Sequence, residues 1–223
     1  MTHSRAHPAL PLERRGLLKR IATLALLITM TTMHHAPAQE KTSPATFVGK
    51  LKAGTPQKIV YFGTSLTAAG DWPKQFMAVL DEKFPKLTTT KNLASSGQHS
   101  GWGIKNVQRV VDEKPDVVFI EFTTNDSTER FNISVADARE NTEGIIDAIK
   151  KGNPDCEIIL QIMNPVIGRP KGDKGHRPDL PGYWQMYRDL GRERGLLVVD
   201  HSAGWQQVLD KGEACLLYTL TLP

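Results

Sequence analysis

Three short polar clusters follow runs of apolar residues: Gly63-Thr64-Ser65-Leu66-Thr67, the stretch from Asn92 to Ser100, and Thr123-Thr124-Asn125-Asp126-Ser127. A serine at a strand-to-helix turn is exposed and meets the positive end of the following helix, which favours developing negative charge. A glycine lets backbone N–H groups approach a substrate oxygen closely, and an asparagine amide donates a further hydrogen bond to the same oxygen. Taken singly, each cluster also reads as turn chemistry. Three exits of one sheet facing one crevice argue against turn chemistry alone.

The elements that must position these clusters alternate between short β-rich runs and helical ones. Lys58-Ile59-Val60-Tyr61-Phe62, ending at Gly63, has the continuous apolar character of a strand buried on both faces. Asp71 is placed to cap a helix with Trp72, Phe76, Val79 and Leu80 on one face, stopped near Pro85. Leu87 to Leu93 is a weaker, threonine-rich strand, and Ile104, Val107, Val110 and Val111 fit a second helix. Val117 to Phe122 is a second strongly apolar strand. Ser134-Val135-Ala136-Asp137 has capping-box spacing and opens a helix with Val135, Ala138, Thr142, Ile145, Ile146 and Ile149 facing inward, stopped by Gly152 and Pro154. Glu157 to Met163 is a strand, Tyr183 to Arg194 a helix stopped by Gly195, Leu196 to Val199 a fifth strand, and Ala203 to Leu209 a short helix. Strands separated by helices imply parallel pairing with right-handed crossovers. The expectation is a three-layer α/β/α, flavodoxin-like domain of about five parallel strands, with its ligand site beyond their carboxyl ends.

On these residues the chain resembles the SGNH, or GDSL-type, serine hydrolases from about Lys58 to about Leu209. Gly63-Thr64-Ser65-Leu66 is similar to the first block of that family, with Ser65 at the nucleophile position and threonine where aspartate is common. Asn92 to Gly97 is similar to the second, with Gly97 as the oxyanion-hole glycine. Thr124-Asn125-Asp126 is similar to the third, with Asn125 as the oxyanion-hole asparagine and Thr123 in place of the usual glycine. The resemblance implies hydrolysis of acyl esters without metal or organic cofactor. Ser65 Oγ would attack the ester carbonyl, and the Ser65 and Gly97 N–H groups and the Asn125 amide would hold the oxyanion. One such donor is typically worth roughly 10² to 10³ in rate. Thr67 stands where G-x-S-x-G needs its second glycine, which disfavours an α/β-hydrolase elbow. Neither G-x-G-x-x-G nor a P-loop is present, which disfavours a nucleotide-binding domain.

The family places its general base in an Asp-x-x-His block near the C-terminus, and this sequence has no histidine after His201. Asp173-Lys174-Gly175-His176 matches the spacing but precedes the last strand. His99 follows the oxyanion glycine and reads as a loop or substrate contact. His201 lies on the correct face, but adjacent residues of an extended segment point to opposite sides, so Asp200 is not placed to orient it. The expectation is a truncated or frame-shifted member lacking its acid/base dyad; losing the base histidine costs on the order of 10⁶ in turnover. Two classes therefore stay open: an exported ester hydrolase for small acyl groups such as acetyl on carbohydrate, or an inactive relative that binds an acylated glycan or cell-envelope ligand.

Composition narrows the partners. The 223 residues carry a formal charge of +4, with 39% hydrophobic and 23% charged residues, as a globular domain does. Residues 1–38 read as an export signal: Glu13 to Arg20 is basic, Ile21 to Met33 is apolar, and Ala36-Pro37-Ala38 suits cleavage before Gln39. The apolar run is shorter than the roughly 20 residues a bilayer needs, so no stable anchor is expected after cleavage. Its paired arginines resemble a twin-arginine signal, although ordinary secretory leaders are also basic. That segment holds five basic residues and one acidic, so the remainder carries 23 of each and is neutral. Nucleic acid is thereby disfavoured as a partner, leaving a small-molecule or carbohydrate ester. Residues 39–56 read as a linker and 57–223 as the hydrolase domain, destined for the periplasm or exterior. Cys156 and Cys215 read as two unrelated buried thiols, and no His/Cys cluster suggests zinc. Trp72 and Trp205 fit helix packing, whereas Trp102 follows the oxyanion loop as a candidate substrate contact. The basic, Gly/Pro-rich loop from Asn164 to Pro181 reads as a rim of the crevice or a solvated surface.

Overall fold

The computed structural model describes residues 46–166 and 169–210. The stretch read as an export signal, Cys215 and the apolar tail lie outside the described residues. Five parallel strands form one sheet: β1 (Gln57–Gly63), β2 (Thr88–Asn92), β3 (Val117–Glu121), β4 (Glu157–Ile162) and β5 (Leu197–Asp200), in the order β2-β1-β3-β4-β5. The helices are α1 (Thr46–Lys52), α2 (Ser65–Ala68), α3 (Trp72–Lys83), α4 (Ser100–Asn106), α5 (Gln108–Asp112), α6 (Thr123–Asp126), α7 (Val135–Gly152), α8 (Leu180–Arg194) and α9 (Ser202–Asp210), with a 3₁₀ turn at Glu129–Phe131. This is the three-layer, flavodoxin-like architecture expected from the sequence. Among the described residues no helix is long and apolar enough to cross a membrane.

Alternation along the strands explains why their sequences are apolar throughout. Val60 and Phe62 of β1, Val118 and Ile120 of β3 and Ile158, Leu160 and Ile162 of β4 face one layer, packing with Ile145, Ile146 and Ile149 of α7 and Tyr187 and Leu190 of α8. Ile59, Tyr61, Val117, Phe119 and Ile159 face the other, against Phe47 and Leu51 of α1 and Leu80 of α3. Both faces are covered, so neither can be polar.

Several elements differ from the sequence reading. Thr46–Lys52, inside the stretch read as a linker, is a helix; Phe47 and Leu51 are one turn apart and both buried, and its first N–H groups, on Thr46 and Phe47, donate to the Glu157 carboxylate. Asp71 stands at the start of α3 but its side chain makes no capping hydrogen bond, and Val79, assigned to the inner face, is 47% exposed. The helix read through Val110 is two short ones, because the Val110 N–H bonds to Val107 three residues back instead of four. Helix α8 begins three residues early, where the Asp179 carboxylate accepts from the Gly182 N–H. Gly195 ends it with φ 63°.

Helix α7 follows its pattern closely: Ala138, Thr142, Ile145, Ile146 and Ile149 are buried, and Ser134 and Asp137 form both halves of the capping box. Removing the Ser134 hydroxyl deletes the acceptor for an otherwise unbonded N–H. Ser134→Ala is expected to cost about 1 kcal/mol, read as a fall of roughly 2–4 °C in Tm by thermal melting.

Candidate active site

The three polar clusters leave neighbouring strands at the same end of the sheet. Gly63 pairs in register with Glu121, and Tyr61 with Asn92. At the first exit Thr64 caps α2, its hydroxyl oxygen accepting from the Leu66 N–H at 3.2 Å. Ser65 is the first residue of that single turn and is half-buried. The helix after it is one turn long, so most of the expected dipole is absent. The Ser65 hydroxyl has no hydrogen-bond partner among the described residues, and neither the Ser65 nor the Gly97 N–H is engaged by another described residue.

At the second exit Asn92 does double duty. Its amide donates to the Thr67 carbonyl at 2.9 Å, and its carbonyl oxygen accepts from the Ala94 N–H, an Asx turn that bends the chain. The Ser95 N–H donates to the Gly63 carbonyl at 3.0 Å, which ties this loop to the first exit. Gly97 is exposed with φ +72°, left-handed backbone that disfavours a side chain. At the third exit Asn125 is 7% exposed, and its amide donates to the Gln98 carbonyl, next to Gly97, at 2.7 Å. The exits carrying Ser65, Gly97 and Asn125 are thus tied pairwise by hydrogen bonds.

Two carboxyls at the third exit, Glu121 and Asp126, are buried and stand outside the sequence-predicted site. Glu121 is 1% exposed, and its Oε2 accepts from the Thr64 N–H (3.1 Å), the Thr64 hydroxyl (2.8 Å) and the Thr67 hydroxyl (3.0 Å). Asp126 Oδ1 accepts from the Ser100 N–H at 2.7 Å, supplying α4 with a cap from across the crevice. The other oxygen of each has no partner among the described residues. Burial pushes Glu121 up to about 7, with the Thr64 and Thr67 hydrogen bonds pulling against it and the neighbouring Asp126 charge adding to it. Burial likewise pushes Asp126 up to about 7, against the hydrogen bonds from Ser100. A lone charged residue inside Val117-Val118-Phe119-Ile120-Glu121-Phe122 is the sequence signal for Glu121.

The candidate bases sit apart from carboxylates. His176 Nδ1 lies 2.8 Å from the Arg169 carbonyl, while Asp173 accepts from the Gly175 N–H, so the Asp-x-x-His spacing forms no dyad. Asp200 is held by Arg188 at 2.8 Å and by the Ser202 N–H and hydroxyl. His201 Nε2 lies 3.4 Å from Gln161 Nε2, and burial lowers its pKa. The His99 ring lies 4.8 Å from that of Phe131, and burial, with Lys105, lowers its pKa too. Among the described residues no histidine is hydrogen-bonded to a carboxylate.

The surrounding residues sort by contact. Trp102 lies against Phe62 and Trp72 against Tyr61 and Phe119, both as packing groups. Trp205 lines a small cleft with Asp200 and His201. Cys156 is buried and its thiol pushed up to about 12. The basic loop is fastened to the third exit: Arg177 donates to the Thr124 carbonyl at 2.7 Å, and the His176 carbonyl accepts from the Glu129 N–H. A cleft of about 410 Å³ opens beside that exit, lined by Asp126, Ser127, Ile133, Pro178 and Tyr183; Ser65 does not line it.

The chain belongs to the GDSL-like lipase/acylhydrolase family, whose pattern it matches over residues 61–219. No curated protein matches its sequence. Among solved structures it is similar to a lipase/acylhydrolase from Enterococcus faecalis, with 26% identity and TM-score 0.57, over 66% of this chain and 77% of that one. It is also similar to an acetylxylan esterase from Geobacillus stearothermophilus (18%, TM-score 0.60, 70% and 81%) and a putative GDSL-like lipase from Parabacteroides merdae (17%, TM-score 0.64, 73% and 85%). By this resemblance the protein is a carboxylic ester hydrolase.

The raised carboxyls make a prediction about stability. A carboxyl whose folded pKa lies above its ordinary value favours the folded state most below about pH 4. That contribution is lost as pH rises through about 7. Glu121→Gln removes the titration, so its stability relative to the parent should rise by roughly 3 kcal/mol between pH 4 and 8. Urea unfolding at both pH values measures the change.

Proposed function

We propose that the protein is an exported esterase that removes small acyl groups, acetyl on carbohydrate foremost, with Ser65 as nucleophile and Gly97 and Asn125 in the oxyanion hole. The observation that carries this reading is the hydrogen-bonded lacing of the three exits around Ser65, with the Ser65 and Gly97 N–H groups unspent among the described residues. Attack by Ser65 Oγ on the ester carbonyl would develop charge on the carbonyl oxygen, where those donors and the second N–H of the Asn125 amide supply compensation. Collapse of that adduct would break the ester C–O bond and expel the alcohol with the serine proton. Water would then cleave the acyl–Ser65 ester to the carboxylic acid and restore the hydroxyl. The acetylxylan esterase among the structural neighbours supports an acetylated carbohydrate as substrate class, and the leader-like residues 1–38 support export.

A second reading, a catalytically silent domain that binds an acylated glycan, is favoured by a different observation. Ser65 Oγ has no partner, and no histidine pairs with a carboxylate, among the described residues. The two readings separate on one experiment with the purified full chain. The esterase reading expects hydrolysis of p-nitrophenyl acetate and covalent labelling by a fluorophosphonate. Both should be abolished in Ser65→Ala, with turnover falling by at least about 10³. Absence of both turnover and labelling in the parent chain would overturn the esterase reading and leave the silent domain.

A further inference from the structure

Ser65 is half-buried and its side chain touches no partner among the described residues, so its position is inherited from the residues around it. Those residues are fixed from one place. Thr64, immediately before Ser65, gives both its N–H and its hydroxyl to Glu121 Oε2, and Thr67, two residues after, gives its hydroxyl to the same oxygen. The Thr64 hydroxyl has its proton directed to Glu121, which leaves its lone pairs for the Leu66 N–H. One buried oxygen therefore orients the chain on both sides of Ser65.

Gly63 makes that approach possible. A Cβ there would lie 2.6 Å from the Glu121 carbonyl oxygen and 2.9 Å from Oε2, closer than any side chain tolerates. From the opposite side Asn92 donates to the Thr67 carbonyl. The turn is braced between β2 and β3, and Glu121 is the fully buried brace.

We infer that Glu121 is a positioning residue for the nucleophile: its Oε2 fixes the Thr64–Thr67 turn so that Ser65 faces the crevice at the angle its chemistry needs. This rests on Ser65 being the nucleophile. The role requires an acceptor at Oε2 and no charge, because a neutral carboxyl or a carboxamide keeps a carbonyl oxygen in that place. Glutamine therefore substitutes for glutamate, whereas leucine leaves three donors without an acceptor.

The experiment compares Glu121→Leu, Glu121→Gln and Ser65→Ala in the full chain, reading p-nitrophenyl acetate kinetics and amide hydrogen exchange. Glu121→Leu is expected to lower kcat by about 30-fold or more with KM within about threefold, since small displacements of a reacting group cost this much. Exchange over residues 63–68 should rise by roughly tenfold while that of α7 stays unchanged. Glu121→Gln should restore both. Parent-like kcat in Glu121→Leu, or Glu121→Gln as impaired as Glu121→Leu, would overturn the inference. If Glu121→Leu does not fold, Thr64→Val and Thr67→Val, which leave Glu121 in place, decide it. Reduced kcat and faster turn exchange support the inference, and parent-like values in both refute it. If Ser65→Ala turns over ester as fast as the parent, the nucleophile reading fails, and exchange alone decides whether Glu121 fixes the turn.

Discussion

The strand order reverses direction at β1. The chain places β2 on one side of β1 and then crosses back to place β3 on the other, so the connections after β1 and β3 depart over opposite faces of the sheet. A crevice must open where they part, beyond the carboxyl ends of those strands. Every candidate site residue depends on that geometry. Ser65 follows β1, Asn125 follows β3, and Gly97 lies in the loop after β2 that folds back over the gap. Hydrogen bonds from Ser95 to Gly63 and from Asn125 to Gln98 then close the loop against both neighbours.

The architecture was legible because its signals are short-range and redundant. Ile59 to Phe62 and Val117 to Ile120 are apolar at every position, as strands of a parallel sheet covered on both sides are. Helix α7 combined a capping box with an unbroken inner face from Ala138 to Ile149, and both features appear in the structure. What sequence spacing missed depends on distant partners. Helix α1 is seven residues long with only Phe47 and Leu51 buried, too little periodicity to stand out, and Glu157, 110 residues further on, holds its N-terminus. The Asp71 cap failed for the opposite reason: the residue type is right, but the backbone at Asp71 is already helical, with φ −83° and ψ −12°, where a capping residue needs extended geometry.

The site itself was half legible. The residues that would touch a substrate sit at strand exits, where a polar side chain stands out from the apolar run before it. The residues that hold those exits do not announce themselves in the same way. Arg177 looks like one more base in a solvated loop, yet it fastens that loop to the Thr124 carbonyl. Asp126 adjoins Asn125 but works on Ser100, 26 residues away. The histidines illustrate the converse. Asp173 and His176 have the right spacing, but the Asp173 carboxylate is used by the turn between them, so spacing alone is no dyad.

Placing Glu121 in an otherwise apolar strand would be expensive if it had to be ionised there, since burying an unpaired charge is among the largest penalties in a protein interior. The structure removes that conflict. All three donors from Thr64 and Thr67 converge on Oε2, and Oε1 meets no partner among the described residues. Those three donors favour the ionised form and burial favours the neutral one, and Oε2 can accept from all three in either state. Burial raises the pKa to about 7, which keeps the neutral form available well above the ordinary carboxylate range. The hydrogen bonds that order the turn survive protonation, and they are also the reason the pKa does not rise further. A glutamate can therefore sit in the most buried strand of the sheet and still fix a loop at its surface.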